Sequence, residues 1–361
     1  MFIRSLFNTP RASTVQFQTA SRMANIIFQS RKYSAIINDD NAQRFASIAK
    51  RHLPDLNPYR DLEGFVKTAS LAAHELPVEL RSDLYDFKMH GNKEGYFLIR
   101  SLPTDDDLMA TPKNLSDVPK LKKSFQSEFW LTTVGSLLGQ PFGYIQENNG
   151  NLFNNVRPSG NKEHTLSSES SKVTLDLHSE VAFHPFYPDH LLLYCLREDR
   201  TKNAKTIVAS IAKIKDRITP QLESLLRQPL YKTGIDYSFG NESETKGNGP
   251  VIPIMYGDPN DPLMIFDPDL MTGMTEDAEQ AIKNLKEMLD NVTEGVEMRK
   301  GDLIVIDNYR ALHGRTKFEA NYDGQDRWLQ RILVSSNLAA ANKMFGMKER
   351  IITHKFTDLE G

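Results

Sequence analysis

The chain has 361 residues, of which 39% are hydrophobic and 25% are charged, as in an ordinary globular protein. Its 44 basic and 47 acidic residues give a formal net charge of −3, which argues against a nucleic-acid partner. The single cysteine excludes an internal disulfide and a cysteine-based zinc cluster, and no apolar run is long enough to predict a membrane span.

The first 36 residues differ from the rest because they contain several arginines but no aspartate or glutamate. Positive charge combined with an amphipathic face is what mitochondrial import requires. We therefore expect residues 1–36 to be a mitochondrial transit peptide, with a mature chain that begins near Tyr33 and resides in the matrix. The alternatives are a disordered start, or translation from Met23, and a cytoplasmic location.

Helices are predicted in the first part of the remaining chain. Apolar residues recur at three- and four-residue spacing from residue 41 to about residue 90. Residues 95–103 have the pattern of a strand, and residues 121–139 predict a helix that ends at Gly139. A second clear helix is predicted over residues 275–292, with Thr275 as its N-cap.

Short β-type runs dominate the chain from residue 142 onward. They read FGYIQE, VTLDLHSEVAF, HLLLYCL, TIVASI, VIPIMY, LMIFD, DLIVID and RWLQRILVSS. Such a series predicts a mainly β protein with flanking helices, built on a double-stranded β-helix or jelly roll. We expect one domain over residues 37–361, with a helical part at 37–90 and the jelly-roll core at 91–340. The polar stretch 148–172 is long enough to predict a lid over a functional site.

Three residues are candidates for a metal site. His178 and Glu180 lie two positions apart in a strand-like run, so they are expected to share one face. A salt-bridged pair at the surface would have the same local pattern. His313 follows a strongly apolar strand and precedes a glycine. Two imidazoles and one carboxylate form the facial triad of non-haem Fe(II) oxygenases, which leaves metal positions open for other ligands.

The order H-x-E, a long interval, H-G-R and then YDGQDRWLQR resembles the clavaminate synthase-like branch of the TauD/TfdA-like Fe(II)/2-oxoglutarate oxygenases, which includes arginine and asparagine hydroxylases. The resemblance covers about residues 85–340. It implies that His178, Glu180 and His313 bind Fe(II), and that 2-oxoglutarate and O₂ are co-substrates. It also implies that Arg327 clamps the distal carboxylate of 2-oxoglutarate and that the hydroxyl of Thr206 helps.

The resemblance also suggests residues that bind the substrate. Arg331 would bind an α-carboxylate, unless it is a surface strand residue. Gln146 would lie near the α-amino group, with Glu180 as a second acceptor. In the arginine hydroxylases a D-x-D in the region of Asp267 and Asp269 grips the guanidinium. Two carboxylates on one face of an extended segment would repel each other without a cation between them, although Asp-Pro-Asp also suits a turn.

The resemblance and these residues together imply an enzyme that hydroxylates an unactivated C–H bond, at C3 or C4, of a free L-amino acid. A basic amino acid, arginine or lysine, is the expected substrate. One alternative is a desaturase, epoxidase or cyclising oxygenase that acts on another amino-acid-derived or small carboxylate substrate. The other is a non-catalytic jelly-roll binding protein, which the complete set of metal ligands with Arg327 disfavours. No nucleic-acid or membrane partner is expected, and the sequence leaves the oligomeric state open.

Overall fold

The computed structural model describes residues 33–37, 39–165, 167–240 and 245–356. Most of the expected transit peptide, residues 1–32, lies outside the described residues. Within the described ranges, no helix is both long and apolar enough to cross a membrane.

The helices lie mainly in the first part of the chain and the strands in the rest. The α-helices in these ranges are α1 (Asp39–His52), α2 (Leu62–Ala72), α3 (Val78–His90), α4 (Val118–Leu121), α5 (Gln126–Leu138), α6 (Pro220–Leu226), α7 (Glu276–Asp290) and α8 (Leu338–Phe345). Short 3-10 helices lie at Ala73–Glu75, Leu115–Asp117, Asn148–Gly150, Gly160–Lys162, Ile211–Lys213, Lys215–Arg217 and Tyr237–Phe239.

Most of the strands in the described ranges are short. They are β1 (Ser34–Ile36), β2 (Tyr96–Arg100), β3 (Gln140–Tyr144), β4 (Asn154–Val156), β5 (Leu175–His178), β6 (His190–Arg197), β7 (Lys205–Ser210), β8 (Tyr231–Lys232), β9 (Val251–Ile252), β10 (Met255–Asp258), β11 (Asp261–Met264), β12 (Thr272–Gly273), β13 (Glu294–Glu297), β14 (Leu303–Asp307), β15 (Ala311–Arg315), β16 (Trp328–Ser335), β17 (Met347–Lys348) and β18 (Ile351–Ile352).

Two sheets form the core. The larger joins nine strands in the order β1, β2, β14, β6, β16, β3, β18 and β17, with β4 paired to β16. The smaller joins four strands in the order β13, β7, β15 and β5. An apolar layer lies between the two sheets and includes Leu193 and Leu329 of the larger sheet and Val208 and Val296 of the smaller. Two sheets packed in this way confirm the predicted jelly roll with flanking helices.

Side-chain alternation assigns each strand face to a different core. On β6, Leu192 and Tyr194 pack against the helices, whereas Leu193 lies between the sheets. On β15, Leu312 packs on the outer side of the smaller sheet. Its neighbour His313 must therefore point to the opposite side, into the space between the sheets.

The helices cover the outer faces of both sheets. Phe45, Phe65 and Trp130, from α1, α2 and α5, belong to the core against the larger sheet. The predicted helix at 275–292 is confirmed as α7. The Thr275 side chain caps it by accepting a hydrogen bond from the backbone N–H of Ala278, and its apolar face packs on the smaller sheet.

Several element boundaries differ from the prediction. The helix expected at 121–139 begins at Gln126, whose backbone N–H donates to the Asp105 carboxylate at 3.0 Å. The larger sheet extends beyond residues 91–340, because β1 pairs in parallel with β2 and β18 with β3. The stretch 148–172 is only partly a loop, since Asn154–Val156 pair with β16. The strand expected at 173–183 ends at His178.

The pairing of β5 with β15 depends on a glycine. A Cβ at Gly314 would lie 2.4 Å from the carbonyl oxygen of Leu175 and 2.8 Å from that of Asp176. We expect Gly314→Ala to push β5 away from β15 and to lower the free energy of unfolding by about 1–3 kcal/mol, as overpacking does elsewhere. Urea unfolding would measure the change.

The matched control is Gly160→Ala. No atom lies within 4 Å of a Cβ at Gly160, so we expect a change of no more than about 0.5 kcal/mol. Equal effects of the two substitutions would contradict the importance of the close approach at Gly314.

Candidate active site

A pocket between the two sheets contains six of the predicted site residues. Its lining includes His178, Glu180, Thr206, His313, Arg327 and Arg331, together with Val156, Ser168, Leu175, Leu193, Gly314, Arg315 and Leu329. Strands of both sheets contribute residues to this lining. The fold therefore brings residues that are distant in sequence into one pocket.

The three candidate metal ligands converge at this pocket. One ligand atom from each of His178, Glu180 and His313 lies within 4.8 Å of the other two. The Oε2 atom of Glu180 is 3.4 Å from Nε2 of His313, and the two imidazole centroids are 4.4 Å apart. Two imidazoles and one carboxylate in this arrangement fit Fe(II), which favours nitrogen and oxygen ligands of this kind.

The backbone of the smaller sheet positions the two histidines. His178, the last residue of β5, is the direct partner of His313 on β15. Nδ1 of His178 hydrogen-bonds to the carbonyl oxygen of Asp176 at 2.9 Å. This bond orients the ring so that Nε2 is the nitrogen available to a metal, an arrangement common for metal-binding histidines.

Glu180 lies beyond the end of β5, so strand alternation does not position it. The amide of Asn308, which is fully buried, accepts a hydrogen bond from the Glu180 N–H at 2.8 Å and donates to the Glu180 carbonyl oxygen at 3.1 Å. Ser179 in turn bonds to the backbone of Phe266 through its own N–H and its hydroxyl. These contacts fix the backbone from which the carboxylate projects.

The residue after Glu180 has an unusual conformation. Val181 has φ of 54°, in the left-handed region that β-branched residues rarely adopt. Strained backbone of this kind persists when the surroundings over-determine it, and it clusters at functional sites. The Asn308 contacts on Glu180, directly before it, supply such a constraint.

The surroundings of the triad favour metal-binding protonation states of Glu180 and His313. Burial alone would raise the pKa of Glu180, but the charge of Arg331 and the hydrogen bond from His313 lower it to about 2. Burial and the nearby His178 lower the pKa of His313 to about 4. Burial alone would lower the pKa of His178, but the nearby carboxylates of Asp267 and Glu180 raise it. At neutral pH an ionised carboxylate and a neutral imidazole thus face the pocket.

Arg327 is a buried cation for which the described residues provide no anionic partner. Its side chain is only 5% exposed, and no carboxylate in the described part of the chain pairs with it. Burial lowers its pKa. An unpaired buried charge is unfavourable, so a guanidinium held in this way fits a ligand that brings its own carboxylate. The buried hydroxyl of Thr206 lines the same pocket.

Arg331 is also buried but has two carboxylate partners. One terminal nitrogen donates to Glu180 at 2.9 Å, and the other donates to Glu147. Its Nε atom is buried and has no partner among the described residues. Burial raises the pKa of Glu147, and the charge of Arg331 opposes that rise. The pair of Arg331 and Glu147 thus places a cation and an anion next to a candidate metal ligand.

The structure places Gln146 away from the pocket. Its amide nitrogen donates to the carbonyl oxygen of Phe239 at 3.4 Å, and its amide oxygen accepts from the backbone of Phe356 at 2.5 Å. The next residue, Glu147, points to the site instead. Both residues lie in the turn that follows β3, where strand alternation does not predict the direction of a side chain.

Asp267 and Asp269 lie in a turn rather than on an extended segment. The Asp267 carboxylate accepts hydrogen bonds from the backbone N–H groups of Asp269 and Leu270, at 3.1 and 3.2 Å. Burial raises the pKa of Asp267 to about 6, although His178 opposes the rise. Asp269 lies near Asp176 and two lysines. Neither aspartate lines the pocket itself.

Two further residues near the site were not predicted from the sequence. Asn308 follows the apolar strand β14, and its polar character inside a buried turn was the available indication. Arg315, two residues after His313, bonds to the backbone of the stretch near Ser170. Burial and the charge of Arg327 lower the pKa of Arg315 to about 9.

The chain is similar to characterised bacterial proteins over most of its length. Clavaminate synthase 2 of Streptomyces clavuligerus is 33% identical over 285 residues, which are 79% of this chain and 87% of that protein. An L-lysine 3-hydroxylase of Catenulispora acidiphila is 32% identical over 300 residues, which are 81% of this chain and 82% of that protein.

A solved structure of asparagine oxygenase with Fe(II), 3-hydroxyasparagine and succinate matches with a TM-score of 0.82 and 28% identity, and covers 89% of this chain and 99% of that chain. Residues 117–333 match the family model described as Taurine catabolism dioxygenase TauD, TfdA family. The chain therefore belongs to the TauD/TfdA family and is a 2-oxoglutarate-dependent oxygenase that uses Fe(II) and O₂.

Proposed function

We propose that the protein hydroxylates C3 or C4 of a free L-amino acid with a cationic side chain. The observation that carries the proposal is one pocket lined by the metal triad, by Arg327, which has no carboxylate partner in the described ranges, and by Arg331, which pairs with Glu147. Such a set offers separate places for a metal, for a dicarboxylate and for the two charged groups of an amino acid.

The roles of the side chains follow from their positions. His178, Glu180 and His313 would hold Fe(II). The chemistry that bound Fe(II) would supply is the activation of O₂ that hydroxylation of an unactivated C–H bond requires, coupled to the oxidative decarboxylation of 2-oxoglutarate to succinate. Arg327 would bind the distal carboxylate of 2-oxoglutarate in a bidentate way, with the hydroxyl of Thr206 beside it. The apolar wall around them excludes water and orients the substrate.

The amino-acid backbone would bind at Arg331 and Glu147. The Nε atom of Arg331, which has no partner in the described ranges, offers a donor to an α-carboxylate. Glu147 and the second oxygen of Glu180 offer acceptors to an α-ammonium group. Because burial raises the pKa of Glu147, a cation bound beside this carboxylate would stabilise its ionised form.

The cationic side chain would be recognised by Asp267, which lies outside the pocket lining but close enough to His178 to raise the pKa of that imidazole. The charges of Asp236 and Asp269 add to the burial that raises the pKa of Asp267, and no lysine or arginine in the described part of the chain pairs with the Asp267 carboxylate. A guanidinium or ammonium group would relieve this repulsion. The similarity to a lysine 3-hydroxylase supports the same substrate class.

A screen of free amino acids tests the proposal. Purified protein with Fe(II), ascorbate and 2-oxoglutarate is expected to release succinate in the presence of lysine or arginine and to add one oxygen atom to it. Product masses separate the alternatives, because a desaturase would remove two hydrogen atoms instead. Glu180→Ala is the matched control and is expected to abolish turnover. Absence of succinate with every cationic amino acid would refute the proposed substrate class.

The pH dependence of substrate binding tests the role of Asp267. Burial raises its pKa to about 6, so the carboxyl loses its charge as the pH falls through about 6. We expect the KM for a cationic substrate to rise as the pH is lowered from 7 to 5. Asp267→Asn should raise that KM about tenfold at pH 7 and remove the pH dependence, since a hydrogen bond to a charged group is worth about that factor.

Asp269→Asn is the control for this measurement. Burial and the nearby Asp176 raise the pKa of Asp269, but Lys246 and Lys286 oppose that rise, so its charge is already partly balanced. We expect a smaller change in KM than for Asp267→Asn. A pH-dependent KM that persists in Asp267→Asn would contradict the assignment.

We also propose that residues 1–32 direct the protein to mitochondria. The backbone of Tyr33 accepts a hydrogen bond from Leu98 at 2.9 Å, and Ser34–Ile36 pair with β2. Cleavage after residue 36 would remove this strand, so an end before Tyr33 fits the fold better. Residues 1–32 fused to a fluorescent reporter are expected to enter mitochondria, and a diffuse cytoplasmic signal would refute the proposal.

A further inference from the structure

Ser179 lies between two of the candidate metal ligands and bonds to both peptide groups of Phe266. Its backbone N–H donates to the carbonyl oxygen of Phe266 at 2.8 Å, and its hydroxyl oxygen accepts from the N–H of Phe266 at 3.0 Å. Ser179 is only 2% exposed, and Phe266 is fully buried. A reciprocal pair of hydrogen bonds, protected from water, thus joins two segments that are 87 residues apart in the chain.

This pair of bonds connects the metal site to the turn that contains the two aspartates. Phe266 directly precedes Asp267, the carboxylate that would recognise a cationic side chain. The Asp267 carboxylate accepts hydrogen bonds from the backbone N–H groups of Asp269 and Leu270. It is therefore fixed relative to its own backbone, and a displacement of the Phe266 backbone would move it.

Among the described residues, only Ser179 bonds to the peptide groups of Phe266, although other contacts hold its surroundings. Strand β11 ends at Met264, and the N–H of Ile265 donates to the carbonyl oxygen of Ile254 at 2.9 Å. The ring of Phe266 packs in the apolar cluster on the outer side of the smaller sheet. These contacts fix the general course of the chain, and the bonds to Ser179 set the distance of the Phe266 backbone from the metal ligands.

The residue after Ser179 connects the metal site to the α-carboxylate site. Glu180 accepts a hydrogen bond from Arg331 at 2.9 Å. In the proposed function, Arg331 binds the α-carboxylate of the amino acid and Asp267 binds its cationic end. Both ends of the substrate would therefore be positioned by residues 178–180, which also supply two metal ligands.

We propose that Ser179 is a positioning residue that sets the distance between the metal and Asp267 and thereby determines which carbon of the amino acid is hydroxylated. The inference rests on the proposed function, because it requires a cationic substrate that binds at Asp267. C3 and C4 are joined by a single bond, and a misplacement of roughly 1 Å can change a rate by about 100-fold. A shift of Asp267 by less than one bond length would therefore change the carbon that is presented to the metal.

A serine with a purely structural role would behave differently. Its loss would lower the stability of the fold and the rate of turnover, and it would affect every product by the same factor. The loss of a positioning serine changes the proportion of the products and the affinity for the cationic end of the substrate. The discriminating quantities are therefore a product ratio and a difference in affinity.

Product analysis of Ser179→Ala measures the proportion. Arginine and lysine are each supplied to the Fe(II)-loaded protein with 2-oxoglutarate and ascorbate, and NMR locates the hydroxyl group in the product. The alanine leaves the buried N–H of Phe266 without its acceptor. We expect the ratio of the minor to the major product to rise about fivefold, the factor that corresponds to one hydrogen bond between neutral groups. More succinate should also be released per hydroxylated amino acid.

Calorimetry provides a measurement that does not require turnover. Lysine, and norleucine, which lacks the side-chain ammonium group, are titrated into the Fe(II)-loaded protein with 2-oxoglutarate and without O₂. Ser179→Ala is expected to raise the dissociation constant of lysine about fivefold and to leave that of norleucine unchanged. When Asp267→Asn is also present, Ser179→Ala should no longer affect lysine binding, because the charge that Ser179 positions is absent.

The matched control is Ser210→Ala. Ser210 is fully buried on β7 of the smaller sheet, and its hydroxyl also accepts from a backbone N–H, that of Ala212, at 3.2 Å. It does not line the pocket. We expect an unchanged product ratio and unchanged binding of lysine. If Ser179→Ala does not fold, Ser179→Cys retains a weaker acceptor and is expected to shift both quantities in the same direction by a smaller factor.

Two results would overturn the inference while leaving the proposed function intact. One is a Ser179→Ala protein with the product ratio and the lysine affinity of the wild type. The other is a Ser179→Ala protein that binds lysine and norleucine more weakly by the same factor. A wild-type protein that neither binds nor hydroxylates arginine or lysine would instead contradict the proposed function, and the inference with it.

Discussion

The pairing of β5 with β15 is the constraint on which the site depends. It sets His178 opposite His313 at the inner face of the smaller sheet, and it requires a glycine where the two backbones approach most closely. The third ligand, Glu180, lies outside this ladder and is held by the amide of Asn308. One part of the triad therefore depends on strand register, and the other depends on a buried polar clamp.

The charges of the pocket are balanced only in part by the protein itself. Glu180 is kept ionised by Arg331, which also pairs with Glu147. Arg327 and Arg315 have no carboxylate partner in the described ranges. A buried charge that lacks a partner is unfavourable. Such a group persists at a functional site, because the ligand supplies the opposite charge.

Much of the fold followed from local patterns in the sequence. The helix Glu276–Asp290 was predicted because apolar spacing and a capping threonine act within a few residues. The strand boundary at His178 was missed, because a contact with Asn308, distant in sequence, turns the chain there. Gln146 was chosen in place of Glu147 for a related reason, since both residues lie in a turn after β3, where the sequence pattern does not predict the direction of a side chain.

The sequence by itself determined the class of chemistry, because H-x-E and a distant histidine supply the ligands of an Fe(II) facial triad, and the family resemblance that they carry with the following arginine implies a 2-oxoglutarate site. Only the tertiary structure decided which carboxylates pair with Arg331, that Asp267 and Asp269 lie in a turn, and that Arg315 bonds to the backbone of Ser170. These properties depend on distances between segments that are far apart along the chain. Burial and charge act across such distances, and residue spacing along one strand carries no information about them.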